Sequence, residues 1–363
     1  MKPYAIGIDC RLSNSTGIGR YVREIVPQVA DVFGAENILL SGGTTTTTWA
    51  APLIERGAGF RPTAARPFRL AEHRMFGELG DSCDLIWCPH FSAPWTCPSR
   101  LVVTVHDLIP LHVVEGWKGR VRQIGARVYL GAVRRNADRI LTVSEQVKGE
   151  LVHELGVKAE RVLAIPNGVG ALWFEARPCA GSSKPYVVYV GNVSPHKNVE
   201  GLLEAFAEVS KLVSHELVII GEERGFTSRP VLSEWVARLG GRLRIVAKLT
   251  DAELRGLVAG ADLLIQPSLE EGFGLPPLEA MAAGCPVLTS DCAALLETAA
   301  QGAHRFRLGE RGDLAIMLGV LLTNDRLRRS KIEEGRNWAH RFTWRQTAER
   351  TAAALREVWE GGR

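Results

Sequence analysis

The chain lacks any run of eighteen apolar residues, which excludes a transmembrane helix. It also lacks paired cysteines. The seven thiols, at 10, 83, 88, 97, 179, 285 and 292, are odd in number, scattered and without a Cys-x-x-Cys pair. A disulfide framework is thereby excluded, and reduced, mostly buried thiols of a cytoplasmic protein are expected. Cys88, His90 and Cys97 lie close in sequence, yet their spacing matches no zinc pattern and core packing is the preferred reading. A strong charge of one sign is missing too: 44 basic and 40 acidic side chains leave +4, which argues against nucleic acid as a partner. No G-x-G-x-x-G fingerprint opens the chain, because Val22 stands where the last glycine belongs. No Asp-x-Asp occurs in a loop suited to a divalent cation. The stretch from Met1 to Asp9 reads as a strand from the outset and not as a leader.

What is present is an alternation of strand and helix, repeated twice. At 363 residues with 46% apolar and 23% charged content, two soluble domains are the natural expectation. In the first half, apolar runs at 4–9, 38–41, 84–88, 101–105, 139–143 and 161–165 predict strands, with helices at 20–33, 119–137 and 145–155. Thr44 to Thr48, five threonines in a row, reads as a surface loop. In the second half, strands are predicted at 186–191, 217–221, 243–246, 262–266 and 286–289, with helices at 198–213, 251–260 and 277–283. The pattern implies an α/β protein with two Rossmann-like, doubly wound parallel-sheet domains facing across a cleft. The small, proline-bracketed stretch 176–185 marks the expected boundary, giving domains 1–177 and 178–345. A last helix, 346–363, brings no strand of its own and is expected to pack back on the first domain.

Chemistry concentrates in Glu270-Glu271-Gly272-Phe273-Gly274-Leu275-Pro276-Pro277-Leu278-Glu279. A buried strand ends before it, and good helix formers follow two prolines suited to a helix's first turn. The loop therefore delivers Glu271 and Glu279 to a helix N-terminus at the carboxyl end of a parallel strand, where such sheets bind ligands. A pair of surface charges is the competing reading. Gly191-Asn192-Val193-Ser194-Pro195-His196-Lys197-Asn198 links the first strand and helix of the same half. Lys197 there suits a diphosphate as a point charge, unless it is simply solvated. In the first half, Gly17-Ile18-Gly19-Arg20-Tyr21 opens a helix, either as an anion-binding loop or as a plain turn. His106-Asp107 follows a strand directly and is placed to exchange a hydrogen bond near neutral pH, or to cap a loop. His90 and His112 are weaker candidates.

Together these segments resemble the retaining nucleotide-sugar glycosyltransferases of family four, which have the two-domain GT-B fold and a Glu-x7-Glu signature, here Glu271 to Glu279. The resemblance also covers Val105-His106-Asp107, Thr142-Val143-Ser144, Pro166-Asn167-Gly168-Val169, Val190-Gly191-Asn192 and Pro195-His196-Lys197-Asn198. It implies that Glu279 binds the ribose hydroxyls and that Glu271 faces the transferred sugar. Phe273, Gly274 and Leu275 line the donor site, the first two with backbone N–H groups for sugar hydroxyls. It further implies that Lys197, with Gly17 and Gly19, neutralises the diphosphate, and that His106 sits at the sugar. Many members carry arginine where this chain has Asn192 and His196, which shifts the diphosphate load to Lys197 and backbone donors. Some subgroups that act on GDP-sugars show the replacement at the first of these positions, so the resemblance favours a GDP-sugar over a UDP-sugar. The resemblance implies transfer of a hexose, mannose from GDP-mannose first, without a metal, onto a glycan or polyprenyl-diphosphate-linked acceptor in polysaccharide or lipopolysaccharide synthesis. Whether Glu271 attacks or the leaving phosphate guides a same-face attack stays open.

The segment from Gly116 to Arg135 holds six cations and no acid, with Val121, Ile124 and Val128 at helical spacing. Arg120, Arg122 and Arg127 then either touch an acceptor or an anionic membrane at the inner face of the cytoplasmic membrane, or line the solvated side of a helix whose apolar side is core. Three other functions compete: a sugar-nucleotide epimerase of the same fold, a nicotinamide-dependent oxidoreductase, and a non-catalytic sugar-nucleotide binding partner. The first should keep an arginine-rich diphosphate site, the second a dinucleotide fingerprint, and the third a decayed site.

Overall fold

Strands buried on both faces need unbroken apolar runs, and two interior ones, Ile6-Gly7-Ile8 and Val187-Val188-Tyr189, are fully enclosed. The computed structural model describes residues 2–15, 17–112, 116–179, 184–221, 229–247 and 249–361. One sheet consists of β1 (Tyr4–Asp9), β2 (Ile38–Gly42), β3 (Gly59–Pro62), β4 (Cys83–Cys88), β5 (Arg100–Val105), β6 (Arg139–Thr142) and β7 (Val162–Ala164), in the order β3-β2-β1-β4-β5-β6-β7. The other consists of β8 (Tyr186–Val190), β9 (Glu216–Ile220), β10 (Leu243–Val246), β11 (Leu263–Gln266), β12 (Val287–Ser290) and β13 (His304–Phe306), in the order β10-β9-β8-β11-β12-β13. Neighbouring strands pair in parallel in both sheets. Each is therefore a Rossmann-like, doubly wound sheet. The order reverses between β1 and β4 in one and between β8 and β11 in the other, and the loops leaving those strands flank each crevice.

The compact units change at Gly168 and again at Thr343, so the last helix, Trp344–Glu360, belongs with the first sheet. The expected joints at 177/178 and 345/346 are thus displaced. Residues 171–174 are bound to the second unit: Arg336 donates to the Phe174 carbonyl at 3.0 Å, and the Phe174 ring stacks on His340 at 3.9 Å. The stretch 176–185 lies inside that unit, with 180–183 outside the described residues. In the first unit, Trp359 meets Phe33 edge to face at 6.2 Å, and Thr347 Oγ1 donates to the Pro166 carbonyl at 2.7 Å. Gly168 is the tightest point of this seam, since a methyl group on it would overlap the backbone of Thr343 and Trp344. Gly168→Ala should cost roughly 3 kcal/mol, because backbone cannot yield as a side chain does. Thermal unfolding checks this, and a wild-type transition would show that the seam can open.

The five threonines do not form a loop. They begin the helix Thr44–Glu55, whose Thr46, Ala50 and Leu53 are buried. Burial of that face overrides the weak helix propensity of threonine. Also unforeseen are β3, β13 and the helices Glu72–Ser82 and Arg229–Leu239.

Candidate active site

In the second unit, the turn Pro195–Lys197 leaves β8 and the loop 267–274 leaves β11, on the two sides of the point where strand order reverses. The two segments are joined by backbone, with Leu269 N–H donating to the His196 carbonyl at 2.7 Å. Lys197 Nζ then reaches both Glu271 oxygens at 2.7 Å. Glu271 Oε1 also accepts from Gln266 Nε2 and Ser268 Oγ, each at 2.7 Å. Burial alone would favour the protonated carboxyl, but the lysine and these donors hold its pKa below the ordinary value, so Glu271 is a buried carboxylate. Ser290 Oγ fixes the Ser268 carbonyl at 2.5 Å, and Thr298 Oγ1 fixes that of Phe273 at 2.6 Å.

Gly274 makes the turn into the next helix. Its φ of +96° is left-handed, and a methyl there would strike Leu295. The helix Leu275–Ala282 has proline in its first turn, and Glu279 follows beyond that turn, buried. Phe273 is buried beside Phe342 at 6.1 Å. Lys197, Glu271, Phe273, Gly274, Leu275 and Glu279 thus converge around one loop and one helix start.

Asn192 and His196 add no cation. Asn192 is exposed, accepts at its carbonyl from Tyr189 Oη at 2.6 Å, and at Oδ1 from Ser194 Oγ at 3.1 Å. Burial, reinforced by the neighbouring Lys197, lowers the His196 pKa to about 4, so the ring is neutral near pH 7. Lys197 carries the positive charge of this trio alone.

In the first unit, Gly17 begins a seventeen-residue helix and is exposed, whereas Gly19 packs on the Ser13 carbonyl. His106 leaves β5 with Nε2 at 2.8 Å from the Pro89 carbonyl. A carbonyl only accepts, so Nε2 bears the hydrogen and Nδ1 is left as an acceptor. Burial lowers the His106 pKa to about 4, with nearby His90 adding to the shift. The Tyr21 ring meets it edge-on at 4.8 Å. His112 instead pairs with Glu154 at 2.9 Å, on the surface.

A buried polar group spans the reversal point of this sheet and escaped sequence reading. Asp9, at the end of β1, pairs with Arg11 at 2.6 Å and lies 3.1 Å from His90 Nε2, beyond the end of β4. Arg11 also pairs with the buried Glu72 at 2.9 Å. The charged partners hold Asp9 well below the usual carboxylate range, against its burial. Because His90 directly follows Pro89, the group anchors the segment whose carbonyl orients His106. Gln266 and Ser268 were missed likewise; the signal for Gln266 is a lone amide closing an apolar strand. Among the described residues, no three His, Cys, Asp or Glu side chains gather as a metal site.

Two family profiles divide the chain: Glycosyltransferase Family 4 matches residues 15–171, and Glycosyl transferases group 1 matches residues 177–338. The O-antigen chain mannosyltransferase B of Escherichia coli is 27% identical over 94% of this chain and 96% of its own length. The MMP alpha-(1->4)-mannosyltransferase of Mycolicibacterium hassiacum is 31% identical over 62% of this chain, a match that spans 56% of that relative. In fold, the chain resembles Anabaena Alr3699/HepE in complex with UDP-glucose, with a TM-score of 0.75 at 18% identity over 97% of this chain and 99% of the other. With both profiles matched in tandem on two Rossmann-like sheets, the chain belongs to the family-four glycosyltransferases of GT-B fold and is a nucleotide-sugar-dependent glycosyltransferase.

Proposed function

We propose that the chain is a retaining hexosyltransferase that moves mannose from GDP-mannose onto a glycan or polyprenyl-diphosphate-linked acceptor, in the cytoplasm, during polysaccharide or lipopolysaccharide assembly. The observation that carries this reading is the Lys197–Glu271 pair at the loop that leads into the helix carrying the buried Glu279. Glu279 takes the ribose hydroxyls, Lys197 and backbone N–H groups take the diphosphate, and Glu271 takes the sugar. The relatives' names support mannose. An uncharged Asn192 fits the departure from the arginine pattern that favours GDP. A UDP-sugar is the second reading, favoured by the UDP-glucose bound to the Anabaena neighbour.

The reaction needs no metal in this reading. Departure of the diphosphate is assisted by a fixed ammonium and by N–H groups already oriented before the bond breaks. Glu271 Oε1 accepts three hydrogen bonds and Oε2 one from the lysine, which lowers the nucleophilicity of the carboxylate. That favours same-face attack guided by the leaving phosphate, with Glu271 holding sugar hydroxyls and balancing the developing positive charge.

The test is a thermal-shift panel of GDP-, UDP-, ADP- and dTDP-sugars on the wild type and Glu279→Ala. GDP-mannose at a hundredfold excess over its dissociation constant should stabilise the wild type by about 2.7 kcal/mol. Glu279→Ala should lose most of that gain at the same concentration. An unchanged gain would remove Glu279 from the ribose, and no response to any sugar nucleotide would overturn the reading as a whole.

A further inference from the structure

The helix Gly116–Asn136 is apolar on two opposite sides. One side, with Ala126, Tyr129, Leu130 and Val133, is buried in the core of the first unit. On the other, Val121, Ile124 and Val128 follow one another at spacings of three and four, so a single stripe carries all three. They are 60%, 62% and 46% exposed, and Trp117, one turn earlier on the same stripe, is 72% exposed. The core-facing alternative for this stripe therefore fails. A helix at a protein surface ordinarily turns a polar face outward.

Charge frames the stripe. Arg120, Arg127 and Arg134, seven residues apart, run along one flank and Arg122 stands on the other, all exposed. The helix has no acid anywhere. Gly125 and Gly131 interrupt it, although a methyl group on either would meet nothing within 4 Å. Internal packing therefore gives no reason for these two weak helix formers.

Aromatic rings extend the surface. Tyr129 is about 100° further round the helix than Val128. Its ring packs on Phe68 at 5.1 Å and faces Trp95 at 6.1 Å, and both partners are exposed. Phe68 adopts a left-handed φ of +60°, strained for an aromatic residue. Its N–H is held by Ser92 Oγ at 3.0 Å and Glu72 Oε2 at 3.2 Å, and Glu72 is itself anchored by Arg11. A buried ion pair thus keeps a strained backbone in place and an aromatic ring at the surface.

We infer that this face docks on an anionic lipid bilayer, with the helix Gly116–Asn136 lying in the plane of the interface. The aliphatic stripe enters the acyl boundary, the arginines extend to lipid phosphates, and Trp117, Trp95 and Phe68 occupy the headgroup level. A second copy of the chain fits poorly, because it would bring six cations of one helix against six of another. Nucleic acid would answer the arginines and leave the aliphatic stripe in water. The inference goes beyond the donor chemistry and does not depend on it.

The experiment is sedimentation of the full chain with vesicles of phosphatidylcholine, with and without phosphatidylglycerol, over a range of salt. The wild type should bind the phosphatidylglycerol vesicles at low salt and be released as salt screens the arginines. Val121→Ser combined with Ile124→Ser should weaken partitioning about tenfold or more. Arg120→Gln combined with Arg127→Gln should do the same. Both variants should keep the wild-type circular dichroism and the wild-type thermal shift with sugar nucleotides, which separates failure of this inference from failure of the functional reading. Absence of binding at low salt, equal binding to phosphatidylcholine alone, or undiminished binding by the apolar variant would overturn it. So would a dimer in analytical ultracentrifugation that Val121→Ser with Ile124→Ser dissociates, since the stripe would then be a contact between copies.

Discussion

Lys197→Ala should lower transfer by roughly 10²–10⁴-fold, the range seen when a fixed donor or cation is removed from a developing anion. It should also reverse the way stability depends on pH. In the wild type, Glu271 titrates below its ordinary value of 4.5 despite its burial, because Lys197 opposes the desolvation. The stability that the pair contributes is therefore present above pH 4.5 and is lost as pH falls through the lower native value. Without the lysine, burial remains and only the Ser268 and Gln266 hydrogen bonds oppose it, so the Glu271 pKa rises. A carboxyl raised in the folded state has the opposite sign: stability is greatest below its unfolded pKa and is lost as pH rises through the folded one. At neutral pH the stranded carboxylate should cost roughly 3–5 kcal/mol. Thermal unfolding at several pH values measures this slope, and an unchanged slope with near-normal turnover would remove Lys197 from the diphosphate.

Adding Glu271→Gln to Lys197→Ala isolates the effect on stability, since Glu271 itself takes part in the proposed reaction. The neutral amide removes the stranded charge, so stability should return in large part while turnover stays low. If turnover returned with stability, the role of Lys197 would be structural, and charge stabilisation in the transition state would have to come from elsewhere. The pair thus joins fold and function: the ion pair that supports the loop after β11 is also the charge on which the proposed reaction depends.

Much of this arrangement was legible in the sequence because parallel sheets write themselves in a simple code. Strands buried on both faces are continuous apolar runs, and ligand loops follow them at their carboxyl ends. Glu271 and Glu279 stood out because a glycine turn and two prolines bracket them, and local geometry then sets where they point. Lys197 was found for the same reason, but its partner was not. The Lys197–Glu271 contact joins residues 74 positions apart, across strands that are neighbours only in the folded sheet. The Asp9–Arg11–Glu72 group was hidden in the same way, since Glu72 lies 61 positions from Arg11 and shares the buried face of its helix with Met75, Phe76 and Leu79, where a carboxylate is not expected. Thr44 to Thr48 misled because composition reports propensity, while the buried face of Thr46, Ala50 and Leu53 decided the outcome. Val121, Ile124 and Val128 illustrate a further limit. Periodicity says that residues share a face and is silent on whether that face meets core or solvent.

His106 gives the second large effect. His106→Ala should reduce transfer by roughly 10²–10³-fold, in the range of a lost positioned hydrogen bond or acid–base group, while donor affinity changes little. Its hydrogen sits on Nε2, committed to the Pro89 carbonyl at 2.8 Å, which leaves Nδ1 as the acceptor that the proposed role at the sugar requires. Burial keeps the ring neutral down to about pH 4. Transfer should therefore be flat through neutral pH and fall only as the medium approaches that value, where protonation of Nδ1 converts the acceptor into a donor. Stability should follow the same sense: a histidine whose folded pKa of about 4 lies below its unfolded 6.5 contributes stability above 6.5 that is lost as pH falls through the folded value. The pH profile of transfer under saturating donor, set beside donor affinity from calorimetry, checks both parts. An acid limb near 6.5 would mean a solvated ring, and a collapse of donor affinity in His106→Ala would move the residue from the sugar to the nucleotide. His106→Gln adds a sharper comparison. It keeps an N–H for Pro89 and has no proton to gain, so the activity it retains should stay level in the acid range where the wild type declines.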